Sequence, residues 1–274
     1  MLTATYTDGG HEPDALQLAW AAVLATGEGS VACGRTAARL WGLPLIDDDD
    51  PCVGAEDRYQ HDVAVARNLG PLSRGGPHVV HRRQLVLAPG DVLVHPSGLM
   101  ATSPARTIRD LAGIVTAEAL QCAVDHALRT GLVSVELLDA TLLAAKGSRH
   151  VTALRTAVRR ADAGAQSAAE TLARLALLAD FPEISTQVEV RRPSGALVAV
   201  LDLALEDLRL AVEVDGRRNH AGAAMVAKDR ARDRRTEELG WHTERVTWFE
   251  LRTRPRAFAA RIRARAAQLR ALAA

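Results

Sequence analysis

The stretch from Leu201 to Gly216, LDLALEDLRLAVEVDG, decides the reading of the C-terminal part of the chain. Two apolar runs rich in β-formers flank a polar turn at Glu206 to Arg209, the pattern of a β-hairpin. If Glu206 and Arg209 close the turn, 205 pairs with 210, 204 with 211, 203 with 212 and 202 with 213. Strand side chains alternate between faces, so Glu213 and Asp215 share one face while Val212 and Val214 take the other. The same register sets Asp202 across from Glu213. Opposed Cβ atoms on antiparallel strands lie roughly 4.5–5.5 Å apart, and like charges there are destabilising. Carboxylates built into such apolar strands point to a cation held between them. The plainer alternative is a slipped turn, or a solvated charge that protects an edge strand.

A chain of 274 residues suggests two medium domains, each able to bury a core. Its 48% apolar and 24% charged residues are those of an ordinary soluble globular protein. Net charge is only +1, but residues 165–274 carry 19 Lys+Arg against 15 Asp+Glu. The C-terminal part is therefore the basic one. Arginine supplies 32 of the 34 basic residues, which leaves Lys146 and Lys228 as the two lysines. Cys33, Cys52 and Cys122 are odd in number and widely spaced, against a disulfide framework or a structural zinc site. No basic-then-apolar leader opens the sequence and no apolar run of about 18 residues occurs, so no membrane association and a cytoplasmic location are expected.

Working outward, residues 13–24 and 34–43 read as helices, with Trp41 as a core anchor. Asp47 to Asp50 lack the spacing of a calcium-binding loop and read as solvated. Two strand-like runs follow between Pro77 and Leu99; His78 and His81, three apart, fall on opposite strand faces and suit no shared metal. Thr102-Ser103-Pro104 opens a helical subdomain that reaches residue 164. Ser167 with Glu170 three residues later is a capping-box pattern opening the next helix. A strand at 185–193, the acidic hairpin, a helix over 225–240 stopped by Gly240, a strand at 241–248 and an Arg-rich terminal helix complete an α/β domain. The fold class expected is α/β: domain 1–164 is α+β and mostly helical after residue 103, and domain 165–274 has the order αβββαβ.

The SxxE helix start, the LDLAL strand, EVDG with His220 after it, and KDRARDRRTEELGW together resemble the PD-(D/E)xK (restriction-endonuclease-like) superfamily. More closely they resemble the family related to the very-short-patch-repair (Vsr-like) endonucleases, over about Ser167 to Phe258. Residues 15–160 are similar, more diffusely, to an AbiEi antitoxin-related domain through TAARLWGL, VVHRRQL, TSPARTIRDLA and DHALRTG. Members of that family commonly open with a small winged helix. Only about 35 residues precede TAARLWGL, so that DNA-reading element is expected to be absent or truncated.

The resemblance implies site residues. Asp202 matches the metal-binding aspartate and Glu213 the acidic residue of the (D/E)xK strand. Asp215 stands where the superfamily has its lysine, a departure usual in this subfamily. Glu170 matches a first-helix glutamate that can join the metal shell, although a capping box accounts for it equally well. Where the family often has Glu, this chain has Gln166. His220 matches a catalytic histidine, or is a satisfied loop histidine. Lys228 is either a substitute for the missing lysine or a surface lysine paired with Asp229 or Asp233. Arg217, Arg218 and Arg232 would contact the DNA backbone without reading bases.

Hard oxygen donors with no Cys/His cluster point to Mg²⁺ or Mn²⁺. Two functions follow as expectations. One is a metal-dependent DNA endonuclease or nuclease-like enzyme, in defence or DNA repair. The other is a non-catalytic, antitoxin-like transcriptional regulator, or a DNA- or partner-binding protein of a toxin–antitoxin system with a degenerate nuclease core. Neither a GxSxG elbow nor a P-loop is present.

Overall fold

A computed structural model describes residues 13–47, 60–65, 79–215 and 234–273. The fold is mixed α/β, and the chain divides into two compact units, Met1–Ala163 and Gly164–Ala274. Among the described residues no helix is long and apolar enough to cross a membrane.

The first unit holds a five-stranded sheet in the order β3-β2-β1-β5-β4. Its strands are β1 (Val31–Cys33), β2 (Gln60–Ala64), β3 (Val79–Arg83), β4 (Val92–Val94) and β5 (Met100–Thr102). Helices α1 (Ala15–Thr26) and α2 (Gly34–Leu40) lie against it. Asp62 on β2 is fully buried; it accepts the backbone N–H of Arg35 at 3.0 Å and is ion-paired with Arg83. That approach explains Gly34, whose φ is +48°: a Cβ there would lie 2.7 Å from Asp62 Oδ2. The remaining helices are α3 (Pro104–Leu111), α4 (Ala117–Arg129), α5 (Val135–Ala144) and α6 (Val151–Arg159). Ser103, Thr116 and Ser134 cap the first three through their hydroxyls, as short polar side chains do at helix starts. Ile108, Leu111, Leu120, Val124, Leu138 and Leu154 form their shared core. Each buried side chain of this size contributes about 1.5–3 kcal/mol.

The second unit starts with α7 (Ala168–Leu177), then β6 (Ser185–Arg191), β7 (Leu197–Leu205) and β8 (Leu210–Asp215). After residues 234–237, which are helical, come β9 (His242–Thr247), α8 (Trp248–Thr253) and α9 (Pro255–Ala273). The sheet order is β6-β7-β8-β9, with the first two pairings antiparallel and β8–β9 parallel. The hairpin pairs Leu205 with Leu210, Ala204 with Ala211 and Leu203 with Val212. Its turn is a short 3-10 segment, Glu206–Leu208, closed by Arg209 in the left-handed region. Helix α9 buries Phe258, Ile262, Ala266 and Leu269, spaced to line one face, and packs against α7. Helix α7 in turn lies on β7 and β8. That contact carries the start of α7 to the acidic strands.

Candidate functional site

Helix α7 begins at Ser167, whose extended backbone and hydroxyl cap the N–H of Glu170 at 3.2 Å. Glu170 answers by accepting the Ser167 hydroxyl on Oε1 at 2.8 Å. Its Oε2 accepts the backbone N–H of Gln166 at 2.8 Å and the Gln187 amide at 3.1 Å. The capping box is thus formed in a shifted version, reaching one residue before the cap. Glu170 is only 7% exposed. Burial pushes its carboxyl above the usual glutamate range, and the negative charge of Asp202 pushes the same way; the hydrogen bonds from Gln166, Ser167 and Gln187 pull against both.

Asp202 is half-buried on β7. The antiparallel ladder runs from Leu205–Leu210 to Leu203–Val212, and one residue further on the Asp202 carboxylate takes the place of a backbone acceptor. Its Oδ2 accepts the Val214 N–H at 2.9 Å. On the other side of β7, the pairs Thr186–Leu203 and Val188–Leu201 flank a gap at Gln187 and Asp202. Asp202 therefore sits where regular pairing lapses toward both neighbouring strands. Glu213 on β8 is 5% exposed and, by strand alternation, shares the face of Asp202.

Asp215 carries an ion pair with Arg245, at 3.6 Å. In the parallel ladder Arg245 lies opposite Glu213. Arg245 of β9 is thus ion-paired with one acid of β8 and in backbone register with the other. Arg217, Arg218, His220, Lys228 and Arg232 fall outside the described residues, as does His78. His81 lies on β3, in the other unit.

Asp202, Glu213 and Glu170 offer carboxylate oxygen alone, a donor set suited to a hard divalent cation. Among the described residues no three His, Cys, Asp or Glu are grouped so as to hold a metal ion. Mg²⁺ usually takes only one or two carboxylates and keeps water or phosphate oxygens for the rest, which the pair Asp202 and Glu213 matches in kind. Reasoning from sequence passed over Gln187 and Arg245. Nothing in the sequence marks a glutamine for a left-handed backbone, but the central place of Arg245 in WHTERVTW was a usable signal once that strand joins β8.

No family model matches the chain, and no solved structure matches it. Two curated relatives come from Mycobacterium tuberculosis: uncharacterized protein Rv2248 from strain ATCC 25618 / H37Rv, and uncharacterized protein MT2308 from strain CDC 1551 / Oshkosh. Each is 31% identical over 255 residues, covering 91% of this chain and 86% of the relative. The similarity runs through both compact units, and the chain belongs to the same family as these two mycobacterial proteins.

Proposed function

We propose that the second unit is a Mg²⁺- or Mn²⁺-dependent, nuclease-like module that hydrolyses phosphodiester bonds in DNA. The observation that carries this reading is the position of Asp202, in a lapse of strand pairing and on the face of Glu213. Asp202 also serves the sheet, by accepting the Val214 N–H, but both carboxylates stand in otherwise apolar strands, where a bound cation would offset the cost of their charge. Asp202 and Glu213 would hold the ion, with Glu170 beside them. The ion would lower the pKa of a bound water and offset charge on the scissile phosphate. Asp202 is fixed by the Val214 N–H, so its carboxylate is oriented before substrate arrives. Arg254 and Arg256, exposed near the start of α9, would meet phosphates without reading bases.

A second reading, a non-catalytic DNA- or partner-binding regulator, is favoured by the Asp215–Arg245 ion pair. There an acid paired to an arginine occupies the position at which the superfamily carries its lysine. Nicking of supercoiled plasmid by the full chain, with and without Mg²⁺ or Mn²⁺, separates the two. The nuclease reading expects metal-dependent nicking abolished by Asp202→Asn and by Glu213→Gln. Metal-independent DNA binding with no nicking would replace it with the second.

A further inference from the structure

Among the described residues only two that are not glycine have positive φ, Arg209 at 47° and Gln187 at 53°. Arg209 closes a hairpin turn, where the left-handed region is routine. Gln187 stands in the middle of β6, where an extended backbone is the norm. A side chain held there is strained, and strain of this kind persists only where the surroundings impose it. The surroundings are specific. Gln187 falls at the gap opposite Asp202, its Nε2 donates to Glu170 Oε2, and its Oε1 accepts the Gln166 side-chain amide at 2.6 Å. The carboxylate of Glu170 can only accept, so Gln187 must turn its NH₂ toward it and its oxygen toward Gln166. Gln166 is thereby matched to Gln187: a carboxylate at 166 would compete for the same NH₂ and turn the amide away from Glu170.

Resting on the metal-dependent reading above, we propose that Gln187 is a positioning residue of the metal site. Its left-handed backbone carries the carboxamide across to α7, where it fixes the Glu170 carboxylate on the Asp202 side of the sheet. Gln187 touches neither ion nor phosphate in this role; it acts through Glu170. A purely structural Gln187 would instead only tie α7 to β6.

Glycine separates the two roles, because Gln187→Gly removes the carboxamide and the backbone strain together, whereas Gln187→Ala removes the carboxamide and keeps the strain. The experiment titrates the full chain with Mn²⁺ alone, by calorimetry, and records the metal-free melting temperature of each variant. We expect Gln187→Gly to melt no lower than Gln187→Ala and within about 4 °C of wild type. Its Mn²⁺ affinity should fall at least tenfold, as far as in Glu170→Gln. The double variant Gln187→Gly/Glu170→Gln should fall no further, since both changes act by one route. Wild-type Mn²⁺ affinity in Gln187→Gly, or an affinity loss that only tracks a lower melting temperature, overturns the positioning role and leaves the metal reading standing. A folded wild type that binds no Mn²⁺ sinks the metal reading and this inference with it.

Discussion

Asp202 Oδ2 accepts the backbone N–H of Val214 at 2.9 Å, joining a side chain on β7 to the main chain of β8 beyond the last ladder pair. The carboxylate thus substitutes for a missing carbonyl and is held in one orientation while remaining half-exposed. Hydrogen bonds to a charged acceptor are worth about 1.5–3 kcal/mol, and those to a neutral one about 1 kcal/mol. Asp202→Asn keeps an acceptor and should cost roughly 1 kcal/mol in urea unfolding. Asp202→Ala leaves the Val214 N–H unsatisfied and should cost about 1–3 kcal/mol. If the site is catalytic, both variants lose at least about a hundredfold in plasmid nicking, which equals roughly 2.7 kcal/mol of barrier. An Asn variant that cleaves like wild type would refute the assignment.

A bound cation should also declare itself in stability. Glu170 and Asp202 already repel one another across the start of α7. A divalent ion that binds only the folded unit adds about 2.7 kcal/mol at a hundredfold excess over its Kd. Millimolar Mn²⁺ should raise the wild-type melting temperature and leave Glu213→Gln unmoved. An equal rise in both would place the ion elsewhere.

Two histidines of the first unit should make its stability sensitive to acid. Burial lowers the pKa of His81 from 6.5, the nearby Asp62 charge opposes this, and Arg83 and Arg35 reinforce it; its Nε2 is buried with no hydrogen-bond partner. Burial followed by Arg129 lowers His126 likewise, and Arg129 Nη2 donates to its Nδ1 at 3.1 Å, which requires a bare ring nitrogen. In both cases the unfolded chain takes up the proton first. Their contribution is complete above pH 6.5 and is lost as pH falls toward the depressed folded values. Thermal melts between about pH 7.5 and pH 5 should show a smaller acid-induced drop in His126→Gln than in wild type. An identical drop would remove His126 from the account.

The hairpin was legible because its signals are local. Alternation and the Glu206–Arg209 turn gave the register that places Leu203 opposite Val212, and the structure pairs those two residues. The ladder then stops one pair short of 202 and 213, since the Asp202 carboxylate captures the Val214 N–H, a choice that alternation cannot encode. The α/β class followed from the order of elements. Strands β1 and β2 were not legible. Val31–Cys33 is three residues long, and Gln60–Ala64 carries His61 and Asp62, charged or polar residues that look like loop until Arg83 and the Arg35 N–H neutralise the aspartate. Gln187 was hidden for a related reason: its backbone is dictated by partners on α7, not by its own preference.

The Asp215–Arg245 pair offers a test of the nuclease reading at the strand that carries Glu213. Both side chains are substantially exposed, 44% and 36%, and an ion pair in that setting is worth about 0–1 kcal/mol. Asp215→Asn should therefore unfold within about 1 kcal/mol of wild type in urea. On the nuclease reading, cleavage should change far less than in Asp202→Asn, because Asp215 is already engaged by a cation of the protein itself. Asp215→Lys is more telling. It places an ammonium on the strand that bears Glu213 but sets it beside Arg245, so like charges now meet where an ion pair stood. With Arg245→Ala added to remove that repulsion, the nuclease reading expects Asp215→Lys to match or exceed wild-type nicking at saturating Mg²⁺. A double variant that folds and binds Mn²⁺ yet nicks less than the Arg245→Ala single variant would show that Asp215 itself, and not merely the absence of a lysine, serves the site.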